Sequence, residues 1–372
     1  MQRILVTGAS GFTGGYLCKR LAAEGHRVKA LVRPQRPVDA LLSAGVEPVR
    51  GDLRDRSSLR NALKGVETVY HIAALYRDGR ASRADLFADN LGGTRNLLAA
   101  SIRADVGRFV HCSTVGVHGD VRHPPANEDA PFAPGDDYQE SKAAAEQFVR
   151  HALEKGRLPI TIFRPSGIYG PGDLRFLKLF KAIQRQRFVM VGAGDVLYHL
   201  VHIDDLVDGI ILCGTRPEAI GRTYILAGPR YTTLRELIEL IAGVLNVRPT
   251  MCRVPFWPVY ATAAACEFVC KPLGLSPPLF RRRVDFFRKS RAFDISRARS
   301  EIGYAPKVEL EEGLAQTAEW YMQQGLLKRD VTRQCTRKIT IGPPCQRLAG
   351  VGLGLLTSAG LIRAVFDLTG GA

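Results

Sequence analysis

Two short stretches carry residue types whose spacing suits chemistry. The first is Thr7-Gly8-Ala9-Ser10-Gly11-Phe12-Thr13-Gly14-Gly15, with glycines three apart at Gly8, Gly11 and Gly14. It follows the apolar run Ile4-Leu5-Val6 and opens a stretch of helical pattern. In that setting glycine permits a tight turn, close backbone approach to a pyrophosphate and close packing of helix on strand. The helix N-terminus then offers free N–H groups and partial positive charge to the phosphates. A dinucleotide is expected on Gly8, Ser10, Gly11, Phe12, Thr13 and Gly14. The second stretch is Tyr138-Gln139-Glu140-Ser141-Lys142. Positions i and i+4 share a helical face, so the Lys142 ammonium can sit beside the Tyr138 phenol. A cation there favours phenolate and lowers the tyrosine pKa from about 10, giving an acid–base near neutral pH.

A third member is expected from Phe109-Val110-His111-Cys112-Ser113-Thr114, where Ser113 and Thr114 lie just past a β-rich run. Such a hydroxyl can hold the reacting oxygen near the phenol. The run Ala30-Leu31-Val32-Arg33 bears on the cofactor. A carboxylate at its end would accept from a free ribose 2′-OH. Arg33, with Arg36 nearby, instead matches a 2′-phosphate. NADP(H) is therefore expected ahead of NAD(H); an Arg33 that only stacks on adenine would suit either. Asp52, followed by Leu53, stands where it could accept from the adenine amino group. His71-Ile72-Ala73-Ala74 ends in small residues that let the cofactor approach.

The elements that must position these residues alternate. Ile4–Val6, Val28–Arg33, Val46–Val49, Thr68–Ile72, Phe109–Cys112, Ile160–Phe163 and Thr223–Leu226 read as strands. Gly14–Glu24, Ser57–Leu63, Leu86–Arg103, Tyr138–Lys155, Leu174–Gln186, a stretch opened by His202 and Thr233–Leu245 read as helices. Such alternation implies right-handed βαβ units, hence an α/β fold with a doubly wound parallel sheet, a Rossmann arrangement. Its ligand lies beyond the carboxyl ends of the strands. After about Pro171 the pattern changes, so a smaller C-terminal substrate domain is expected, interleaved with the first. The expected division is 1–171 with 199–227 for the dinucleotide domain, 172–198 with 228–329 for the substrate domain, and a basic, apolar tail over 330–372.

Composition bounds the alternatives. The 372 residues are 46% apolar and 24% charged, which excludes disordered, collagenous and disulfide-scaffold classes. The eight cysteines form no CxxC pair, so no metal site is expected. Net charge is +16, with the excess mainly in the C-terminal third. No nucleic-acid motif accompanies it, and no nucleic-acid partner is expected. The apolar segments Val254–Cys266 and Leu348–Ile362 fall short of the roughly 20 residues that span a bilayer. With the first strand at residue 4 there is no room for a signal peptide. A cytoplasmic protein is expected, with peripheral contact to a membrane and a homodimer as further expectations.

Together these motifs resemble the extended short-chain dehydrogenase/reductase family, over about residues 1–325. The resemblance rests on the glycine turn, Asp52, Asn90 in Asn90-Leu91-Gly92-Gly93-Thr94-Arg95-Asn96, the Ser/Thr strand end, YxxxK, and Arg164-Pro165-Ser166-Gly167-Ile168-Tyr169-Gly170-Pro171-Gly172. It implies a Rossmann domain for NAD(P), Thr114 in the hydroxyl role, Tyr138 as acid–base and Lys142 as ribose contact. Asn90, Pro165 and Ile168 join the cofactor-binding set by the same resemblance. His118 stands where many members carry Tyr.

Nucleotide-sugar enzymes of this family carry two arginines that grip the diphosphate; the matching positions here are Gly172 and Tyr198. What is left is similar to the branch of 3β-hydroxysteroid and sterol 4-carboxylate 3-dehydrogenases. Tyr169–Asp173, His199–Val207, Phe293–Arg299 and Ile302–Pro306 carry that likeness. It implies an oxidoreductase acting on a lipophilic small molecule. Val254–Cys266 would suit a lipophilic pocket or membrane-facing surface, with ordinary core as the plain reading. Asp204 and Asp205 read as a helix N-terminus rather than catalytic carboxylates. The alternatives are a nucleotide-sugar epimerase or dehydratase, including a hopanoid-associated type, and a non-catalytic NAD(P)-binding assembly or sensor protein.

Overall fold

The computed structural model describes residues 1–76, 81–249, 252–270, 277, 279 and 281–328. The expected tail over 330–372 lies outside them. The strands are β1 (Arg3–Thr7), β2 (Arg27–Val32), β3 (Glu47–Arg50), β4 (Thr68–His71), β5 (Arg108–Cys112), β6 (Ile160–Pro165), β7 (Gly167–Tyr169), β8 (Val189–Val191), β9 (Leu197–Tyr198), β10 (Leu200–His202), β11 (Thr223–Leu226), β12 (Thr232–Thr233) and β13 (Cys252–Val254). Seven of them form one sheet in the order β11-β6-β5-β4-β1-β2-β3. Every pairing within it is parallel. This is the doubly wound arrangement expected of alternating strands and helices.

Strand periodicity explains the two covered faces. Side chains alternate along a strand, so neighbours point to opposite sides. Ile4 and Val6, Ala30 and Val32, Tyr70 and Val110 enter one buried cluster; Leu5, Leu31, Val69 and Phe109 enter another. The first is closed by Leu17 and Leu21 of the helix Phe12–Ala23 and by Leu206 and Ile210 of Ile203–Thr215. The second is closed by Leu59 of Arg56–Ala62, Leu97 of Gly93–Arg103 and Val149 of Asp137–Glu154.

Strand order reverses between β1 and β4, the point where ligands of such sheets bind. The register aligns Thr7 with His71 and His71 with His111, so β1, β4 and β5 end together. The glycine turn, Ala73 and Thr114 therefore leave the sheet at one edge.

A further core holds Phe180 and Ile183 of Leu177–Gln184, Leu237 and Ile241 of Leu234–Val244, and Leu314 and Tyr321 of Leu310–Gln323. Short pairs thread it to the sheet: β10 on β7, β12 on β9, β13 on β8. The chain then returns, with Phe293 bridging Ala126, and Ile295, Ala298 and Ile302 packing into the first sheet cluster. The pairs β7–β10 and β8–β13, and the helix Leu310–Gln323, have no counterpart in the sequence reading. The helix expected over Leu86–Arg103 begins earlier, at Arg83, and contains a π turn at Ala88–Gly92. Among the described residues no helix is long and apolar enough to cross a membrane.

Candidate active site

The glycine turn is shaped by contacts that no other residue could make. Gly8 has φ +74°, and a Cβ there would lie 2.8 Å from the Ala73 backbone, two residues past β4. At Gly14 a Cβ would come within 2.3 Å of the Gly8 carbonyl oxygen, so helix and turn touch backbone to backbone. The helix Phe12–Ala23 starts at Gly11 with no side-chain cap and no acid in its first turn. Its leading N–H groups are therefore left for an anion. The phosphates of a dinucleotide fit this cradle. Ser10 is exposed beside it, and the Phe12 ring packs edge-on to Tyr16 with centroids 5.4 Å apart.

The second constellation forms on the helix Asp137–Glu154, capped by Asp136, whose carboxylate accepts from Gln139 N. Lys142 is buried, and its Nζ donates to the Cys112 carbonyl at 2.6 Å, at the end of β5. Burial holds the Lys142 pKa below its ordinary value. One turn earlier, Tyr138 is half-buried with its ring edge-on to Tyr76 at 5.0 Å. Thr114, two residues past β5, caps the short turn Val115–His118 by accepting from Gly116 N at 3.0 Å. Thus Lys142 is anchored at the end of β5, two residues before Thr114, and Tyr138 lies one turn earlier on the same helix.

Ser113 points elsewhere. Its hydroxyl donates to Glu146 Oε2 at 2.5 Å, inside a buried ionic network. Glu146 takes Arg164 in a two-pronged pair, Nη2 to Oε1 at 2.6 Å and Nε to Oε2 at 3.0 Å, both side chains fully buried. Arg164 also reaches His118 Nε2 at 2.8 Å and the Glu128 carbonyl at 2.8 Å. Burial pushes the Glu146 pKa up, but Arg164, Ser113 and Arg150 outweigh it and hold the carboxyl below its usual range. His118 is thus a partner of the buried arginine. Glu146 follows Lys142 at the same four-residue spacing as Lys142 follows Tyr138, a signal present in the sequence beyond the YxxxK pattern.

Beneath the strand ends lie two buried histidines. His71 Nδ1 is 2.8 Å from Thr7 Oγ1, and its Nε2 is 2.9 Å from Thr94 Oγ1. The Thr94 hydroxyl donates to the Asn90 carbonyl, so Nε2 carries the proton and Nδ1 accepts from Thr7. Burial, helped by the Lys142 charge, pushes the His71 pKa down to about 3. His111 is driven the same way by burial, Lys142 and His71. Asn90, within the π turn, donates to Ser141 Oγ at 2.9 Å and to the Leu75 carbonyl at 3.1 Å, and accepts from Leu75 N at 2.7 Å. Its side chain thus ties the loop after β4 to the Tyr138 helix. Sequence reasoning names Asn90 by family likeness but not the bonds that make up this layer.

At the other end, a cavity of about 310 Å³ is lined by Arg33, Asp52, Arg54 and Leu75, among others. Arg50 donates to the carbonyls of Arg33, Pro34 and Arg36, shaping the loop that carries Arg33. Arg54 pairs with Asp89 and Asp85. Asp52 accepts from Arg54 N at 2.8 Å, and Leu53 is the contact that a Cβ at Gly93 would meet. Ala73 N donates to Thr7 Oγ1, leaving Ala74 next along the same edge. Pro165 pairs with Leu226 at the end of β6, and the Ile168 carbonyl accepts from Arg175.

The positions read for substrate resolve differently. Tyr198 is buried in the core of Phe180, Leu237 and Leu314, its hydroxyl donating to the Phe286 carbonyl, with Arg291 over its ring at 5.9 Å. Asp205 accepts from Lys307 N and Val308 N, and Asp204 lies in the first turn of Ile203–Thr215, so both serve structure.

Comparison with known proteins agrees with this geometry. The model of the NAD dependent epimerase/dehydratase family matches residues 4–227. Sterol demethylase protein B of Methylococcus capsulatus is 33% identical over 339 residues, covering 87% of this chain and 99% of that protein. The 4-hydroxy-2-methyl-3-oxo-4-farnesyl-3,4-dihydroquinoline-1-oxide ketoreductase of Stigmatella aurantiaca is 31% identical over 324 residues, covering 84% and 95%. Among solved structures, the dTDP-glucose 4,6-dehydratase DesIV of Streptomyces venezuelae, with NAD and TYD bound, aligns with TM-score 0.71 and 26% identity over 88% of this chain and 99% of that one. The chain thus belongs to the NAD dependent epimerase/dehydratase family of extended short-chain dehydrogenases/reductases, and is an NAD(P)-dependent enzyme.

Proposed function

We propose that the enzyme moves hydride between a nicotinamide cofactor and a secondary alcohol or ketone on a lipophilic ring, a 3β-hydroxysteroid or sterol. The observation that carries the reaction type is Tyr138 one helical turn from buried Lys142, at the strand edge where the glycine turn emerges. When bound, the nicotinamide supplies or takes the hydride. Tyr138 takes the hydroxyl proton in oxidation and returns it to the carbonyl oxygen in reduction. Thr114 Oγ1 holds that oxygen near the phenol. Lys142 favours the phenolate and donates to the cofactor ribose. The lipophilic substrate is supported by Tyr198, whose hydroxyl is spent on Phe286, and by the names of the sterol and quinoline relatives. Arg33, in the lining of the adenosine-end cavity, supports NADP(H) over NAD(H).

One observation favours a second reading. Arg291 stands over the Tyr198 ring and could grip a diphosphate in place of the missing arginines, as a sugar-nucleotide enzyme needs. The test is reduced-nicotinamide absorbance with both cofactors, 3β-hydroxysterols and nucleotide sugars. Net cofactor reduction with a sterol is expected. A sugar nucleotide converted without net reduction would overturn the proposal. Tyr138→Phe should abolish turnover while leaving cofactor affinity nearly unchanged; loss of both would assign Tyr138 a structural role.

A further inference from the structure

The helix Phe256–Cys270 is apolar along its whole length: its one charge, Glu267, is buried and bonded to Arg281 at 3.0 Å. Val259, Ala263 and Glu267 face inward, at the four-residue spacing of a helical stripe. The outward stripe is also apolar. Trp257 is 72% exposed, Phe268 83% and Val269 59%, with exposed Ala261 and Ala265 between them. A water-facing helix surface would ordinarily be polar. Cations border it. Arg253, in β13, is exposed just before the helix, and Arg187 precedes β8, the strand with which β13 pairs. Arg281 and Arg288, which follow the helix in the chain, are half-exposed and paired with Glu267 and Asp285.

We propose that this face docks the enzyme on an anionic lipid surface, with the aromatic stripe in the interface and the arginines at the headgroups. A tryptophan-bearing apolar stripe framed by arginines matches the chemistry of interfacial helices. A second copy of this chain fits less well. A two-fold contact brings the same patch against itself, so the arginine border would meet its own charge. Docking there would deliver a lipophilic substrate from the bilayer; the proposal deepens the substrate reading but does not depend on it, because binding is measured without turnover.

The test is sedimentation of the full chain with phosphatidylcholine vesicles, with and without phosphatidylglycerol. Binding to the anionic vesicles, weakened by salt, is expected. Trp257→Asp and Phe268→Asp should each weaken it about tenfold or more, and Arg253→Glu by a few-fold. Unaltered circular dichroism and NADH binding would show these variants folded; Trp257→Ala and Phe268→Ser replace any that are not. No sedimentation of the wild type would overturn the proposal. So would undiminished binding of the folded variants, or a wild-type dimer that Trp257→Asp splits with no effect on vesicles.

Discussion

The two hydrogen bonds of His71 make a sharp prediction about acid. Its folded pKa, about 3, lies well below the roughly 6.5 of an unfolded imidazole. The unfolded chain therefore binds the proton first, and stability falls as pH drops below that value. At pH 5 the loss from His71 alone is about 2 kcal/mol, from 1.36 kcal/mol per pH unit. No solvent screening reduces it, since the ring is only 1% exposed. His111, His118, His199 and His202 are shifted the same way by burial, whereas burial raises Glu128 and opposes them. The contribution of His71 is isolated by His71→Phe. At pH 7.5 that variant loses the contacts to Thr7 and Thr94 and should cost about 2 kcal/mol in urea unfolding. At pH 5 the wild type has already lost a similar amount and the variant has not, so the penalty should nearly vanish. An equal penalty at both pH values would refute the neutral, buried assignment of His71.

Glu146→Gln strands Arg164 without its carboxylate, and should cost about 3–5 kcal/mol by chemical unfolding. Glu146 contributes above the ordinary carboxylate range, and its contribution is lost as pH falls through its lowered folded pKa. Gly14→Ala drives a methyl into the Gly8 carbonyl and should weaken NAD(P)H binding by at least about tenfold in a fluorescence titration. Arg33→Ala should raise KM for NADP(H) about tenfold and leave NAD(H) within a few-fold; equal effects on both would make Arg33 a stacking residue.

What was legible in the sequence follows from what is local. A strand written Ile4-Leu5-Val6, a glycine turn and an amphipathic helix are each specified by neighbours a few positions apart, so the sheet and its binding edge could be read in advance. Tyr138 and Lys142 were legible for the same reason. The pairs β7–β10 and β8–β13 were not, because two- or three-residue strands have no periodicity of their own and depend on partners some 30 to 60 residues away. Asn90 shows the limit in one residue. Family likeness puts it beside the cofactor, yet its amide bonds to Leu75 and Ser141, partners that only the fold brings near. The helix Phe256–Cys270 shows another: a run apolar on all sides does not say which side faces the core.

The helix Asp137–Glu154 converts sequence spacing into electrostatics. Tyr138, Lys142 and Glu146 share one face, and burial deepens along it from a half-exposed phenol to an ammonium and a carboxylate in the interior. Glu146, one turn further along the helix, favours the Lys142 charge but is itself ion-paired with Arg164 and Arg150. The ammonium bonds to a backbone carbonyl, and the histidines nearby are neutral. Among the described residues no carboxylate is ion-paired with Lys142, and burial in a medium of low dielectric outweighs the favourable field of Glu146. A charge so placed acts more strongly on its neighbours than it would in water; it already depresses His71 and His111, and the Tyr138 phenol lies one helical turn away on the same face. Freeing Glu146 from Arg164, as in Arg164→Met, should therefore draw the carboxylate toward Lys142 and raise the tyrosine pKa. The acidic limb of the oxidative pH–rate profile would move up, whereas a merely structural Arg164 would lower stability and leave that limb in place.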